Sequence, residues 1–542
     1  MHRRNFLTLS GLAGFSTLPA IGEVLQQSFN IVDFGAQPGG RVLNTRYLQK
    51  AIDHAFEAGG GAVSMPPGIF LTGGLVLRSR VTLYLQAGAV LRGSTDVNDY
   101  EYHAGPPQEG DANGRHLIFA RDAEDIAIVG QGTIDGQGSA FWHRNRRPRP
   151  KPEEMWGDVI AWDYEPASQR RPSPMLEFAY CKNVRVEGVT LRNAAGWTMR
   201  PVACESVYIR GIRVRNPNFA PNTDGMDLTA CRNVFVSDCD IATGDDAICI
   251  KSENSYGEML PTKNITVTNC VLSTCCNGFK VGTATHGVVE NIVFSNSVIY
   301  NDDNTPLNER ATSGIALEMV DGGMLDGVTI SNIRMQNART PIFIRLGKRT
   351  LGAASYLRNV MISGVNATGA IVASSITGVP GMPVEDITLA DISIETSEYG
   401  RSEGTQHSVP EQEANYPEAR MFGRLPASGL YVRHANRLRL CNLRLKAEAH
   451  VRPAVVCDDV HDLDISGLRA TARAEGQSVI ALHESSDVFV HGSKAPKDTQ
   501  TFVQVSGTSS TGIVLLGNDL SHAAQPVVLK DGAVAASVSS RS

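Results

Sequence analysis

One short frame recurs along this chain: a polar turn, an apolar residue, then alternation of apolar and polar residues. It is plainest in Cys181-Lys-Asn-Val-Arg-Val-Glu-Gly-Val-Thr-Leu, Cys204-Glu-Ser-Val-Tyr-Ile-Arg-Gly-Ile-Arg-Val and Cys231-Arg-Asn-Val-Phe-Val-Ser-Asp-Cys-Asp-Ile. The first apolar residue of the frame returns as Val184, Val207, Val234, Ile265, Ile292, Val328, Val360, Ile387, Leu438, Leu463 and Val488, with most gaps between 23 and 36 residues. That spacing is too short for separate domains and suits one coil of a β-solenoid. Period-2 alternation buries one face of each strand and wets the other. Strands stacked coil on coil at about 4.8 Å would line equivalent residues into ladders. Asn183, Asn233, Asn264, Asn291 and Asn359 share one such position, and Cys181, Cys204 and Cys231 another. The repeat favours these cysteines as small buried ladder residues over disulfide partners.

The repeat divides the chain. Residues 23–100 read as an N-terminal cap and first coils, because Thr45 to Gly59 has helical spacing of apolar residues and stops at Gly59-Gly60-Gly61. An amphipathic helix there would cover the open end of the solenoid. Residues 101–520 read as the solenoid, with insertions at 143–173 and 396–427, and 521–542 as a C-terminal tail. The first insertion carries Arg144, Arg146, Arg147, Arg149, Lys151, Trp156 and Trp162, the second Tyr399, His407 and Tyr416. Both suit a loop wall over a binding cleft as well as a solvated surface.

Lys+Arg 50 against Asp+Glu 56 leaves a net charge of −6, so no global basic field exists to gather nucleic acid or an anionic membrane. No apolar run reaches the roughly 18–20 residues of a bilayer span. Residues 1–22 read as a signal peptide, with Arg3-Arg4-Asn5-Phe6-Leu7 resembling a twin-arginine export signal. An exported, periplasmic or secreted monomer is expected.

The chemistry concentrates in Asn222-Thr223-Asp224-Gly225 and Gly244-Asp245-Asp246, with 22 residues from Asp224 to Asp246, close to one short coil. If Met226 and Leu228 point inward as Ile248 and Ile250 do, Asp224 and Asp246 share an outward column. Three crowded carboxylates cannot all ionise at neutral pH, so one must hold a proton. An acid beside ionised bases is what glycosidic cleavage requires. Turn chemistry and a Ca²⁺ site remain open readings of the same residues.

With Val32-Asp33-Phe34-Gly35-Ala36, Gly59-Gly60-Gly61 to Pro66-Pro67-Gly68 and Gly132-Thr133-Ile134-Asp135-Gly136, these motifs stand in an order that resembles glycoside hydrolase family 28, the polygalacturonase-like enzymes. The resemblance implies an all-β, single-domain right-handed parallel β-helix and an inverting hydrolase. In it Asp246 corresponds to the general acid, and Asp224 with Asp245 to the pair that activates water. It also implies a pectic, plant cell-wall carbohydrate as substrate; no phosphate-cradling loop or zinc spacing stands out, so no cofactor or metal is expected.

Two departures bear on the substrate. The family's Gly-His-Gly falls on Cys276-Asn277-Gly278, and Asn277 cannot take up charge. The family's Arg-Ile-Lys falls on Ala316-Leu317-Glu318, where an anionic Glu318 would repel a uronate. Lys280, in the column of Ala316, and Arg345, in the column of Glu318, could supply the missing cation; pairing of Glu318 with Arg345 across adjacent strands is the plainer expectation. Lys251 should face the cleft, and Asn222 completes the substrate-binding set. Within a galacturonan- or rhamnogalacturonan-type substrate, a relocated basic pocket suits an oligosaccharide with few uronates, such as rhamnogalacturonan fragments, and the second insertion suits action at chain ends. A neutral-sugar α-glycosidase, a polysaccharide lyase and a noncatalytic carbohydrate-binding solenoid are the competing classes.

Overall fold

The computed structural model describes residues 27–103, 113–144, 164–166, 170–350, 355–397, 408–447, 452–471 and 478–541. The expected signal peptide, most of the basic 143–173 insertion from Arg146 to Trp162, and Tyr399 and His407 lie outside these residues.

The recurring apolar position forms a continuous ladder. Val184 pairs with Val207, Val207 with Val234, Val234 with Ile265, and the register runs unbroken through Ile292, Val328, Val360, Ile387, Leu438 and Leu463 to Val488. Ile126 extends it on one side and Ile513 and Val538 on the other. These pairings are parallel, so each coil presents its apolar residues to the same interior and the fold is a parallel β-helix, right-handed as crossovers between parallel strands of one sheet are. The core is a stack of aliphatic rungs, almost all fully buried. Large aromatics are few in it, although Phe279 and Phe294 stack with ring centroids 4.5 Å apart.

The asparagine position has a backbone reason. Asn183, Asn233, Asn264, Asn291 and Asn359 all take a left-handed φ of 54–58° at the corner of their coils. Asn tolerates that conformation better than other residues with a Cβ, because its side chain bonds locally. Here the amides also bond along the stack, Asn264 Nδ2 to Asn233 Oδ1 at 2.9 Å and Asn291 Nδ2 to Asn264 Oδ1 at 3.2 Å. The cysteines form the expected ladder: Cys181 N donates to Cys204 Sγ and Cys204 N to Cys231 Sγ, and all ten thiols are free.

The cap is helix α1 (Thr45–Glu57), whose Leu48, Ala51, Ile52 and Ala55 close the first coils. It ends where Gly60 adopts φ 126°, at a spot where a Cβ would lie 2.7 Å from the Arg80 carbonyl oxygen. At the other end the reading of 521–542 as a tail is corrected. Ala523–Lys530 and Val538–Arg541 pair in parallel with the strands before them, and Val527, Leu529 and Val538 pack on the core. An apolar alternation weaker than that of the earlier coils carries the solenoid to Arg541.

One face carries the site. Its strands are β1 (Leu176–Ala179), β2 (Met199–Val202), β3 (Met226–Thr229), β4 (Ile248–Lys251), β5 (Asn277–Val281), β6 (Ser313–Met319), β7 (Thr340–Leu346), β8 (Ser374–Thr377) and β9 (Leu430–Cys441). The described part of the second insertion, from Ser408 on, folds over β6 to β9. Val409, Ala419, Phe422, Leu425 and Ala427 pack there against the outward side chains Ala316, Phe343, Tyr431 and Val456 in a second apolar cluster.

The asparagine corner makes a test. Asn291→Ala puts a Cβ without a local acceptor at φ 57° and removes the amide bond, so urea unfolding is expected to show a loss of about 1 kcal/mol. Asn291→Gly keeps the conformation unstrained and is expected to lose less; equal losses would remove the backbone argument.

Candidate active site

Two glycines bring the carboxylates together. A Cβ on Gly225 would sit 2.4 Å from the Ala247 carbonyl oxygen, and one on Gly244 would sit 2.1 Å from that of Ala220. Only glycine lets these neighbouring turns approach so closely. Thr198 N then donates to Asp224 O, Gly225 N to Asp246 O and Ala247 N to Asn277 O, a backbone ladder rising one coil per step. Met226 pairs with Ile248 and both are core residues, so the alternation places Asp224 above Asp246, with Asn277 next in the column. The threonines set the Asp245 backbone, Thr243 and Thr274 hydroxyls both donating to its carbonyl oxygen.

Asp246 is the best-held member. Its Oδ1 accepts from Asn277 Nδ2 at 2.7 Å and its Oδ2 lies 3.1 Å from Lys280 Nζ. Burial by itself would raise this carboxyl, but Lys280, Lys251 and the Asn277 amide together hold it below the usual carboxylate range. Asp224 is the opposite. Burial, then repulsion from Asp245, Asp227 and Asp246, push it well above that range, and its Oδ1 has no hydrogen-bond partner. Burial and the Asp246 charge push Asp245 up to about 7. Crowding therefore divides the proton affinities, with Asp246 the readiest to ionise and Asp224 pushed towards its neutral form.

The expected binding residues are distributed unequally. Lys280 stands at the centre, 3.1 Å from Asp246 and 3.5 Å from Glu318 Oε2, with the exposed Tyr416 ring of the second insertion 5.7 Å from its Nζ. Its register partner is Ala316, as the alternation requires. Glu318 is pushed up to about 7 by burial, against the pull of Lys280. Lys251 faces the same cleft, 3.8 Å from Asp227 and 5.3 Å from the centre of the Trp197 ring. Asn222 is at the margin, its Oδ1 accepting from Arg171 at 2.7 Å.

Arg345 corrects an expectation. It registers opposite Glu318, yet its guanidinium donates to the carbonyls of Gly378 at 2.8 Å and Glu411 at 2.7 Å and lies over Phe422. The expected Glu318–Arg345 pair is replaced by Glu318–Lys280. The insertion supplies the reason: its Glu411 and Phe422 draw the arginine away and seal it. Arg345 is 1% exposed, so it serves the loop and not the cleft.

Asp227 joins the site although the motif reading passed over it. It alternates outward between buried Met226 and Leu228, a signal present in the sequence, and burial pushes it up to about 7 against the pull of Lys251. Behind it, Arg200 makes a fully buried two-pronged pair with Glu177, at 2.7 and 3.0 Å, which Tyr256 also contacts. Trp197 had no signal, since its approach to Lys251 depends on the turn between coils. Asp245, Asp246 and Cys276 bring donor atoms within 4.8 Å of one another and could share a metal ion, although the Lys280 ammonium beside Asp246 opposes a cation there.

A parallel β-helix whose outward face gathers carboxyl groups of unequal proton affinity suits a polysaccharide-cleaving glycosidase. The chain belongs to glycosyl hydrolases family 28, whose model matches residues 85–414. It is 27% identical to a probable polygalacturonase of Vitis vinifera over 391 residues, 68% of this chain and 74% of that one. Among solved structures it resembles an exopolygalacturonase of Thermotoga maritima at 26% identity, with a TM-score of 0.56 over 68% of this chain and 87% of that one. A family 28 exopolygalacturonase of Yersinia enterocolitica shares the fold at 22% identity, with a TM-score of 0.56 over 85% of this chain and 78% of that one. The chain is therefore a glycosidase. No helix among the described residues is long and apolar enough to cross a membrane.

The divided protonation has a sign that stability can report. Asp245 and Glu318 release their protons at about 7 in the folded protein and at about 4 in the unfolded chain. Between those values the folded state binds more protons, so their contribution to stability is full below about pH 4 and is lost as pH rises towards about 7. Asp246, depressed by Lys280, works in the opposite direction. Asp245→Asn keeps the oxygen that accepts from Asp246 N at 2.8 Å and removes the titration. Thermal scans are expected to place its Tm a few degrees above the parent at pH 7.5 and level with it at pH 4; a gap that does not change with pH would refute the assignment.

Proposed function

We propose that this protein hydrolyses α-glycosidic bonds in pectic oligosaccharides with inversion, removing units from chain ends. The reading rests on one observation above the rest: three carboxyl groups on adjacent coils, with unequal proton affinities, beside a lysine. In this reading Asp246 protonates the leaving oxygen while Asp224 and Asp245 activate water on the other side of the sugar.

Beside Lys280 the charged form of Asp246 is favoured, and substrate supplies the change that it needs. A sugar hydroxyl or carboxylate that draws Lys280 to itself weakens the hold on Asp246, and burial then raises its proton affinity. The proton is available nearby, because the cluster loses its protons as a coupled set and not residue by residue. Substrate would thereby arm its own acid.

The insertion supports end-specific action. Val409, Phe422 and Leu425 cover the outward column from Ala316 onward, and Tyr416 stands over Lys280, so a polymer could not continue past the site in that direction. A neutral-sugar α-glycosidase is the second reading. It is favoured by the pairing of Lys280 with both Asp246 and Glu318, which leaves a uronate to compete with two carboxyl groups for one ammonium. Export through the leader at 1–22 would bring either activity to plant cell-wall fragments.

Proton NMR of the protein with homogalacturonan, rhamnogalacturonan and neutral α-linked oligosaccharides tests the reading. New reducing ends are expected to appear first as the inverted β-anomer, with single terminal units as early products. Asp246→Asn is expected to lose about a thousandfold in kcat. Retained anomeric configuration, unsaturated products or an active Asp246→Asn protein would overturn it.

A further inference from the structure

The cations so far described in the cleft are engaged. Lys280 is shared between Asp246 and Glu318, Lys251 lies 3.8 Å from Asp227, and Arg345 is sealed under the insertion. Arg171, at the margin, donates to Pro221 O at 3.1 Å and to Asn222 Oδ1 at 2.7 Å. Arg349, which no motif marks, is placed differently.

β7 ends at Leu346, and the turn after it is tied to the second insertion. Lys348 N donates to Glu413 O at 2.7 Å, and Lys348 Nζ lies 3.6 Å from the Glu413 carboxylate. Arg349 follows, its own N donating to Val320 O at 2.8 Å and its Nε to Asp321 Oδ1 at 2.6 Å. Asp321 is fixed in turn, its Oδ2 accepting from Thr285 N at 3.1 Å. In this pair the carboxylate is the buried member, since the Asp321 side chain is 1% exposed and that of Arg349 23%. Water, or a ligand in its place, therefore meets the cation.

That cation borders the cleft beside Asp246. Its Cζ lies 5.5 Å from the centre of the Tyr416 ring, and Lys280 Nζ, which is 3.1 Å from Asp246, lies 5.7 Å from the same centre. Lys280 Nζ also donates to the Tyr416 hydroxyl at 3.5 Å. The tyrosine is exposed, so a sugar that reaches Asp246 at the closed end of the cleft meets Tyr416 with the guanidinium beside it. A guanidinium offers a carboxylate two parallel N–H donors, a geometry that an ammonium lacks.

We infer that Arg349 is a specificity-determining residue, whose guanidinium receives the carboxylate of a uronate bound against Tyr416. The inference deepens the pectic reading above and rests on it. It also separates that reading from the neutral-sugar one, because a neutral ring gives Arg349 nothing to select.

The test uses trigalacturonate and its full methyl ester, which keeps the sugar and removes the charge. Calorimetric titration of the full Asp246→Asn chain, chosen to stop turnover, is expected to show the acid bound at least about tenfold more tightly than the ester. Adding Arg349→Gln, which keeps a donor for Asp321, is expected to weaken the acid by that factor and to leave the ester unchanged. Arg349→Lys is expected to keep part of the preference, because it restores the charge without the fork. In the chain that retains Asp246, Arg349→Gln is expected to raise KM for the acid with little change in kcat. Equal weakening of acid and ester would make Arg349 merely structural and overturn the inference. So would a preference that survives Arg349→Gln, or a parent that binds the two ligands alike. If the preference depends on Arg349 and the active chain still cleaves nothing, the hydrolytic reading falls and the carboxylate contact stands.

Discussion

Everything in this molecule depends on parallel, in-register hydrogen bonding from coil to coil. The pairing stacks like on like: an aliphatic residue above an aliphatic residue in the interior, an asparagine above an asparagine at the corner, a cysteine above a cysteine beside it. Because the rungs are about 4.8 Å apart, a residue of one coil touches its counterparts above and below. Apolar residues gain from that arrangement on both sides. Charged residues are penalised by it unless the stack alternates in sign.

The cleft follows from that penalty. Outward positions on β3 to β6 carry Asp227, Cys249, Lys280 and Ala316 in one column and Thr229, Lys251 and Glu318 in the next. Two lysines are distributed among Asp224, Asp227, Asp245, Asp246 and Glu318, all withdrawn from water. Two cations cannot neutralise five carboxylates in a medium of low dielectric, so protons make up the difference. Lys280 favours the charged form of Asp246, and burial pushes the carboxyl groups further from it towards their neutral forms. This division is the raw material of acid–base chemistry, and it costs stability that the aliphatic core supplies elsewhere.

The second insertion turns an open face into a closed one. A solenoid has the same cross-section along its length and would offer a polymer a groove without an end. Residues from Ser408 to Ala427 break that uniformity by covering β6 to β9 with their own apolar side chains. The covering also reassigns Arg345, which the bare register places opposite Glu318. With the guanidinium bonded to loop carbonyls, Lys280 becomes the partner of Glu318. One loop thus sets both the length of the cleft and its charge.

The fold was legible because each element reports on it locally. Alternation in Val184-Arg185-Val186, repeated at the coil spacing, names the inward residues, and the apolar spacing from Thr45 names the helix. The same alternation placed Asp224, Asp246, Lys251 and Lys280 on one face, and it held the signal for Asp227 as well. The last coils were less legible, since residues after 520 alternate more weakly and still pair. What the sequence by itself determined was periodicity, and with it the interior, the columns and the gathering of carboxyl groups. Which carboxyl group keeps its proton, which cation Glu318 meets and where the cleft ends were decided by tertiary structure. Those outcomes depend on burial and on contacts between residues such as Lys280 and Tyr416, 136 positions apart. Spacing along the chain carries no information about such distances.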